Sequence, residues 1–411
     1  MKSSRLIAFD TLYKIFYDSA YSNIALDKAL SDVNEDKPFI SSLVYGVVER
    51  KLTLDYFINK YTDSKLKPKI RIILYMGAYQ ILFMDKVPNS AAVNESVKLA
   101  KQINQDFYSK LVNAVLRKIS DDTELPDELS IRYSVPNHLL NMWSKQYGID
   151  TVEEFLPCIN EKPPVFAVPN RKYLDADELI YELQSEGVEC DTVGDVVQIN
   201  SHIDFKNSKA FNNGLFYIED LSSYEAACAL GACEGELVYD MCSAPGGKAF
   251  TIANCMNNKG KIRCFDIYEG RINLIKSGAE RLGIDIIDAS VNDACEYNDS
   301  LPLADRILCD VPCSGFGIVR RKPEIRYKEL DSVKDLPSLQ LKILETSSSY
   351  LKKGGYILYS TCTLNKKENE KVVSSFLANH EEKFKLVKEK TVFPSANGGD
   401  GFYYALIKNE D

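Results

Sequence analysis

Short runs of β-forming residues alternate with helical stretches from Gly235 onward, and this alternation is the feature that most limits the fold. The runs are ELVYDM, KIRCFDI, IDIIDAS, DRILCDVP, GGYILYST and FYYALIKN. Strands that alternate with helices form a mostly parallel sheet with helices on both faces. Residues 221–411 are therefore predicted to form a doubly wound, Rossmann-like α/β domain.

The turn after the first of these runs is rich in glycine and precedes a helical stretch. It has the sequence CSAPGGK over residues 242–248. In doubly wound sheets such a turn lets backbone approach a ligand beside a helix N-terminus. Asp266 ends the next run, where a carboxylate can bind both hydroxyls of a ribose. Asp293 follows the third run, where an adenine edge would lie.

The glycine pattern indicates the class of ligand. APGGK departs from the GxGxxG pattern of dinucleotide sites, so a ligand with one ribose and no pyrophosphate fits better. S-adenosylmethionine is such a ligand. The residues predicted to bind it are Cys242, Ser243, Ala244, Pro245, Gly246, Gly247, Lys248, Asp266, Asp293 and Asp310. If only the two glycines are considered, the alternative is a strand–turn–helix that binds no ligand and whose aspartates are solvated.

The rest of the chain has a different texture. Apolar residues such as Leu6, Phe9 and Leu12 recur at helical spacing in its first part, which predicts an all-α bundle over residues 1–125. Residues 126–220 contain the short apolar segments VFAVPN, VEC and VVQI around a helix-like DADELIYELQSEG. This pattern predicts a linker and a small α+β module.

Charge is distributed unevenly along the 411 residues. The net charge is −9, but residues 1–120 hold 18 Lys and Arg against 12 Asp and Glu, a net of +6. A basic first domain on an acidic body suits a module that contacts phosphate. The basic side chains of one short stretch are Lys60, Lys65, Lys67, Lys69 and Arg71.

No apolar run approaches the roughly 20 residues that a membrane-spanning helix needs. Arg5, Asp10 and Lys14 interrupt the first apolar stretch, which therefore lacks the uninterrupted apolar region of a signal peptide. We expect a cytoplasmic protein with no membrane partner.

Eleven cysteines without a CxxC pair, and only three histidines, predict neither a zinc site nor a disulfide framework. Most of these thiols are expected to be small buried hydrophobic residues, and no metal is expected. Two of them differ from the rest. Cys313 in DVPCSG and Cys362 in YSTCT each follow a predicted strand directly, where doubly wound sheets bind their ligands.

A cluster of basic residues follows the first of these cysteines. Charge runs are usually solvated faces, but beside a reactive loop on an acidic domain we favour contact with phosphate groups. The residues of this basic cluster are Arg320, Arg321, Lys322, Arg326 and Lys328.

Together these motifs resemble the RNA cytosine-5 methyltransferases. Within that class the chain is similar to the bacterial 16S ribosomal RNA enzymes of the Sun or RsmB type, which carry an N-terminal NusB-like RNA-binding domain. The matching strings in the second half are CSAPGGK, DVPCSG with RRKPEIR, YSTCTLNKKENE and DGFYYALIK. Those in the first half are AYSNIALDKAL, LVYGVVERKLTLDYFI, ILYMGAYQILFMDKVPNSAAVNESVKLAK and LVNAVLRKI. Glu219 departs from the family pattern, which usually has Gln there.

The resemblance implies a reaction and roles for three residues. The reaction is S-adenosylmethionine-dependent methylation of carbon 5 of a specific cytosine in 16S ribosomal RNA. Cys362 would be the nucleophile that adds to cytosine carbon 6, and Cys313 would assist release of the enzyme. Asp310 would hold the N3 edge of the base. The implied partner is 16S ribosomal RNA, either free or in an assembling small subunit, and protein partners stay open.

Three alternatives remain at this point. The first keeps the chemistry but acts on transfer RNA. The second is a non-catalytic RNA-binding factor of the antitermination type, although both cysteines, Asp266 and the APGGK turn are present. A nicotinamide dehydrogenase is the third, and its glycine pattern is missing.

Overall fold

The computed structural model describes residues 3–18, 20–31, 33, 36–62 and 65–411, and they form two compact units. The helical unit comprises residues 1–160 and 319–329. The sheet unit comprises residues 161–318 and 330–411. The domain boundaries predicted after residues 125 and 220 stay predictions.

The helical unit consists mainly of α-helices, and those over residues 4–120 surround one apolar core. Its α-helices are α1 (Ser4–Tyr17), α2 (Ser22–Leu30), α3 (Lys37–Glu49), α4 (Lys51–Tyr61), α5 (Pro68–Phe83), α6 (Asn89–Gln102), α7 (Ser109–Ser120), α8 (Leu129–Arg132), α9 (Asn137–Tyr147) and α10 (Ile149–Phe155). Its 3-10 turns are Asp106–Tyr108, Leu156–Asn160 and Pro323–Tyr327. Helix α1 begins where the Ser3 hydroxyl accepts a hydrogen bond from the Leu6 amide. The predicted all-α bundle is confirmed. No helix in the described ranges combines the length and apolarity that crossing a bilayer requires.

Arg326, in the segment 319–329, is completely buried within the helical unit. Its Nη1 donates hydrogen bonds to the Glu49 carbonyl at 3.1 Å and to the Asn160 side-chain oxygen at 2.8 Å. Its Nη2 donates to the Ile159 carbonyl at 3.1 Å. A buried guanidinium with several acceptors ties the ends of separate helices together.

This burial corrects the prediction for the basic cluster. Arg326 is 0% exposed and Arg320 is 3% exposed. Neither guanidinium can reach an RNA phosphate from inside the protein, so the predicted phosphate contact is wrong for these two arginines. Lys322 is exposed, and for it the contact stays a prediction.

The sheet unit contains two sheets and the helices that cover them. Its strands are β1 (Val165–Pro169), β2 (Cys190–Val193), β3 (Val196–Ile199), β4 (Phe216–Ile218), β5 (Leu237–Asp240), β6 (Lys261–Asp266), β7 (Ile287–Val291), β8 (Ala304–Asp310), β9 (Leu351–Thr361), β10 (Phe384–Val392) and β11 (Phe402–Asn409). Its α-helices are α11 (Ala176–Ser185), α12 (Lys209–Asn212), α13 (Leu221–Ala229), α14 (Gly247–Cys255), α15 (Glu269–Leu282), α16 (Leu336–Ser348) and α17 (Glu370–Asn379). A 3-10 turn covers Leu330–Val333.

The larger sheet has the order β10-β11-β9-β8-β5-β6-β7, and the smaller one has the order β2-β3-β1-β4. Strands β5 to β9 pair in parallel, whereas β10 and β11 pair antiparallel at one end. The smaller sheet is antiparallel throughout. The predicted fold class is confirmed, and all six predicted runs of the larger sheet are strands. Strands β4 and β10 were not predicted.

We expect Arg326→Ala to lower the free energy of unfolding of the helical unit by about 3 to 5 kcal/mol. The substitution leaves buried carbonyl oxygens without donors and opens a cavity. Trp143 is the sole tryptophan and is fully buried in the same unit, so its fluorescence during urea titration follows that unit.

Lys322→Ala is the matched control, because Lys322 is an exposed residue of the same segment. It should change the stability by less than about 0.5 kcal/mol. Equal unfolding midpoints for the two variants would contradict the structural role of Arg326.

Candidate active site

The strand order of the larger sheet reverses between β5 and β8, which lie side by side. Asp240 at the end of β5 pairs with Leu308 of β8, and Asp310 ends β8 two residues later. Loops that leave a sheet at such a switch point diverge to opposite faces and open a crevice between them. The turn at 242–248 and the loop that contains Cys313 both leave the sheet here.

The turn at 242–248 is held against the sheet by its own backbone. The Ser243 N–H donates to the Phe265 carbonyl and the Gly246 N–H donates to the Ser243 carbonyl, both at 2.8 Å. Gly246 has a φ of +112°, which glycine tolerates far better than residues with a side chain. Helix α14 begins at the next residue, Gly247. The predicted ligand turn therefore lies at a helix N-terminus.

Asp266 lies beside that turn at the end of β6 and is 4% exposed. One carboxylate oxygen accepts a hydrogen bond from the Tyr268 N–H at 3.1 Å, and the other pairs with Arg271 Nη1 at 3.0 Å. Arg271 Nη2 donates to the Ala244 carbonyl at 2.7 Å. Arg271 thus links Asp266 to the turn. The sequence reasoning missed this arginine, since a basic residue in the first turn of a helix carries no distinctive signal.

Asp293 is exposed in the segment that follows β7. Its carboxylate accepts a hydrogen bond from the Cys295 N–H at 2.8 Å. The neighbouring Asn292 N–H donates to the Asp266 carbonyl at 3.1 Å. The two predicted aspartates therefore belong to adjacent segments at the same edge of the sheet.

The two cysteines singled out in the sequence lie side by side. The Sγ atoms of Cys313 and Cys362 are 3.2 Å apart. Cys313 follows β8 and Cys362 follows β9, and the Gly317 N–H donates to the Cys362 carbonyl at 3.1 Å. The hydrogen bond with Cys362 and burial raise the pKa of the Cys313 thiol well above its usual value. These causes favour the protonated form of Cys313. All eleven cysteines are free thiols.

Lys248 and Asp310 form an ion pair next to the thiols, with the Lys248 Nζ 2.8 Å from an Asp310 carboxylate oxygen. The Ser360 hydroxyl donates to the other oxygen of Asp310 at 2.9 Å. The Lys248 ammonium also lies 5.2 Å from the centre of the Phe402 ring. Burial alone would lower the pKa of Lys248, but the carboxylates of Asp310 and Glu219 raise it, so the ammonium is charged.

Glu219 is buried behind the glycine turn, between α13 and α14. Its carboxylate accepts hydrogen bonds from the Ser223 hydroxyl at 2.7 Å and the Thr251 hydroxyl at 2.6 Å. A Cβ at Gly247 would lie 3.3 Å from this carboxylate. Burial raises the pKa of Glu219, and the Lys248 ammonium opposes the rise. The departure from the family pattern thus adds a titratable group directly behind the turn.

Asp240 is a site residue that the sequence reasoning missed. It ends β5, is 1% exposed, and burial raises its pKa to about 7. Neither carboxylate oxygen makes a hydrogen bond of normal geometry within the described part of the chain. The available signal was an acidic residue at the end of an apolar strand that leads into a glycine turn.

Family models match both halves of the chain. The model described as 16S rRNA methyltransferase RsmB/F matches residues 227–408, and the NusB family model matches residues 2–121. The Rossmann-like sheet and its glycine turn thus belong to a methyltransferase domain, and the helical bundle is of the NusB type.

Curated relatives match almost the whole chain. A probable ribosomal RNA small subunit methyltransferase B of Bacillus subtilis is 35% identical, and the match covers 99% of both chains. Ribosomal RNA small subunit methyltransferase B of Photorhabdus laumondii is 30% identical over 91% of both. The chain therefore belongs to the RsmB/F family of 16S ribosomal RNA methyltransferases and is an RNA methyltransferase. The resemblance stated from the motifs is confirmed.

Solved structures give the same fold. The crystal structure of PH0851 has a TM-score of 0.81 at 27% identity and covers 98% of this chain and 97% of its own. A methyltransferase homolog protein from Pyrococcus horikoshii has a TM-score of 0.61 at 24% identity and covers 69% of this chain. The similarity to PH0851 extends through both units.

We expect Asp240→Asn to change how stability depends on pH. The pKa of Asp240 rises from 3.8 to about 7 on folding, so between these values the folded chain binds a proton that the unfolded chain releases. The contribution of Asp240 to stability therefore falls as pH rises through this window, by up to about 1.4 kcal/mol per pH unit, and levels off above it. Asparagine has no such dependence.

Urea unfolding from pH 5 to pH 8 should therefore show the Asp240→Asn variant gaining stability relative to the wild type as pH rises. Asp288→Asn, an exposed acid on β7, should keep a constant difference from the wild type. A constant difference for both variants would mean that the surroundings of Asp240 do not raise its pKa.

Proposed function

We propose that this chain methylates carbon 5 of a specific cytosine in 16S ribosomal RNA through a covalent adduct of Cys362 at cytosine carbon 6. The observation that carries the proposal is the 3.2 Å contact between the sulfur atoms of Cys313 and Cys362, beside the ion pair of Lys248 and Asp310. Two thiols next to a carboxylate suit a reaction in which one sulfur adds to the base and a second group assists its departure.

The residues around the turn at 242–248 fit S-adenosylmethionine. The buried Asp240 carboxyl makes no hydrogen bond of normal geometry within the described residues, and a ligand amino group would supply one. Each oxygen of Asp266 accepts one bond from the protein and has a second lone pair for a ribose hydroxyl. The exposed Asp293 is available for the adenine. When bound, S-adenosylmethionine supplies a methyl group on a sulfonium centre.

Cys362 is the nucleophile in this proposal. Carbon 5 of cytosine is a poor nucleophile, and addition of a thiolate to carbon 6 turns the ring into an enamine that attacks through carbon 5. A free thiol is only a few per cent ionised at neutral pH, so its surroundings must favour the thiolate. The charged Lys248 ammonium supports the Cys362 thiolate, and the Cys313 sulfur lies within hydrogen-bonding distance of it.

Release reverses the addition. A water molecule takes the proton from carbon 5, the electron pair of that C–H bond re-forms the ring double bond, and the Cys362 sulfur leaves carbon 6 as a thiolate. We assign assistance in this step to Cys313, whose sulfur touches that of Cys362. We assign the N3 edge of the base to Asp310, whose carboxylate is already oriented by Lys248 and Ser360.

We assign RNA binding to the helical unit, supported by its match to the NusB family and by the net charge of +6 over residues 1–120. Within the predicted basic stretch, Lys60 pairs with an aspartate and Arg71 pairs with another. The side chains of that stretch that are exposed for phosphate contact are Lys65, Lys67 and Lys69. The target base must leave its stack, which in RNA is easiest in a loop or single strand. The expected location is the cytoplasm.

The names of the relatives favour ribosomal RNA over transfer RNA. Bisulfite sequencing of total RNA from a deletion strain, and from the same strain with the gene restored, tests this choice. A cytosine in 16S ribosomal RNA should lose its methyl group on deletion and regain it on complementation. Loss of a methyl group in transfer RNA, with 16S ribosomal RNA unchanged, would overturn the assignment.

We expect Asp266→Ala to weaken S-adenosylmethionine binding by about 1 to 3 kcal/mol, because the ribose hydroxyls lose their acceptor and Arg271 loses its partner. Isothermal titration calorimetry measures the change. Asp288→Ala on the adjacent strand is the control, since its exposed carboxylate pairs with Lys261. Equal affinities for the two variants would remove Asp266 from the binding site.

The two cysteines should give different phenotypes. Cys362→Ala should abolish methylation without any covalent complex, because the enamine never forms. Cys313→Ala should still attack and methylate and then stall as a protein–RNA adduct that survives denaturing gel electrophoresis. Cys233→Ala, which removes an exposed thiol, is the control with wild-type behaviour.

Adducts in Cys362→Ala and none in Cys313→Ala would exchange the two roles. Full activity without adducts in both variants would defeat the covalent mechanism itself.

A further inference from the structure

Glu368 is a fully buried carboxylate between the two cysteine loops. One oxygen accepts hydrogen bonds from the Ser314 hydroxyl at 2.6 Å and from the Asn365 amide at 2.9 Å. The other accepts from the Ser314 N–H at 2.8 Å and from the Gln340 amide at 3.0 Å. Ser314 directly follows Cys313, and Asn365 lies three residues after Cys362. The carboxylate thus binds the loop of one thiol to the segment that follows the other.

Asn369, the next residue, forms hydrogen bonds with both chain neighbours of Cys362. It is 0% exposed. Its side-chain oxygen accepts a hydrogen bond from the Thr361 hydroxyl at 2.6 Å, and its side-chain amide donates to the Thr363 carbonyl at 2.9 Å. Thr361 and Thr363 are the two neighbours of Cys362 in the chain. The backbone at Cys362 is therefore clamped by a single side chain.

A third link joins the two loops directly. The hydroxyls of Ser314 and Thr363 lie 2.7 Å apart, and the Phe316 N–H donates to the Thr363 hydroxyl at 3.2 Å. Burying a charge is costly unless it is hydrogen-bonded, so Glu368 requires these donors to converge on it. Moving either loop would leave the carboxylate short of donors. The distance between the two sulfur atoms is therefore fixed by Glu368 and its partners, in addition to the pairing of β8 with β9.

The negative charge of Glu368 also acts on Cys313. The pKa of the Cys313 thiol is raised by its hydrogen bond to Cys362 and by burial, and the Glu368 charge raises it further. A carboxylate bonded to Ser314, the residue after Cys313, therefore favours the protonated form of the Cys313 thiol. Position and charge thus favour the same division of roles.

We propose that Glu368 and Asn369 are positioning residues that hold the Cys313 and Cys362 thiols in reach of each other. The inference rests on the proposed function for its consequence in catalysis, but the geometry it asserts can be tested without RNA. Neither residue touches the base, so both act through the cysteines.

The first experiment measures how readily the two thiols bind the same arsenic atom. Phenylarsine oxide forms bonds from its arsenic atom to two neighbouring thiols and releases water. Thiols bound in this way no longer react with N-ethylmaleimide. Peptide mapping measures the extent of N-ethylmaleimide modification at each cysteine. Glu368→Gln puts an NH₂ group opposite donors, because a glutamine cannot accept at both oxygen positions. Protection of Cys313 and Cys362 should then need roughly 10-fold more arsenical, since bidentate capture depends on the effective concentration of one thiol at the other.

The chain supplies a matched internal control. The Sγ atoms of Cys228 and Cys255 are 3.9 Å apart in the same unit, and their protection should not change in Glu368→Gln. Glu236→Gln is the control variant, because Glu236 also holds a loop, through the Cys233 N–H, and pairs with Arg306. Unchanged protection of Cys313 and Cys362 in a folded Glu368→Gln protein would overturn the proposal.

A milder variant tests the proposal if the Glu368→Gln protein does not fold. If Cys228 and Cys255 also lose protection in Glu368→Gln, Gln340→Ala removes one donor and leaves the carboxylate in place. It should shift the protection of Cys313 and Cys362 in the same direction by a smaller factor. No shift in a folded Gln340→Ala protein would then overturn the proposal.

The second experiment connects the geometry to catalysis. With target RNA, Glu368→Gln should lower kcat with little change in KM and should accumulate the adduct expected of Cys313→Ala. One outcome is that the Glu368→Gln protein needs more arsenical for protection while the wild-type enzyme does not methylate the RNA. That result would leave the positioning role intact and contradict the proposed function. Wild-type kcat in Glu368→Gln would contradict the positioning role while leaving the proposed function intact.

Discussion

The parallel pairing of β5, β6, β8 and β9 is the constraint on which the candidate site depends. Parallel strands bring their carboxyl ends to one edge of a sheet. The segments that follow these four strands are distant in the sequence, but they meet at that edge. The glycine turn follows β5, Asp266 ends β6, and the two thiols follow β8 and β9. The buried carboxylate of Glu368 at this edge then requires buried donors, and these donors fix the two cysteine loops to one another.

The fold was predictable wherever the apolar residues of the sequence recur with the spacing of the secondary structure that they form. The inner parallel strands β5, β6, β8 and β9 are mostly buried and contain apolar runs, which is why they were identified. Strand β10 was missed because it is an edge strand whose side chains are mostly exposed and include Lys385, Lys388 and Lys390. Charged edge strands protect a sheet from unwanted pairing, and their composition resembles that of a loop.

The site was predictable in its motifs but not in its supporting contacts. Cys313, Cys362 and the glycine turn stand out because each follows a strand directly. Arg326 was misread, since a buried arginine that caps carbonyl groups has the same sequence appearance as an exposed one. Glu368 was not singled out for a similar reason. Its burial depends on donors from three separate segments, which only the folded chain brings together.

The measurement that tests this account most directly is identification of the amino acid that bonds to the base. RNA that contains 5-azacytidine at the target position should trap the enzyme, because the ring accepts the thiolate at carbon 6 but cannot complete release. Proteolysis and mass spectrometry of the trapped complex should find the nucleotide on the peptide of Cys362, at its sulfur. A nucleotide on Cys313, or no covalent nucleotide in an enzyme that methylates normal RNA, would contradict the account.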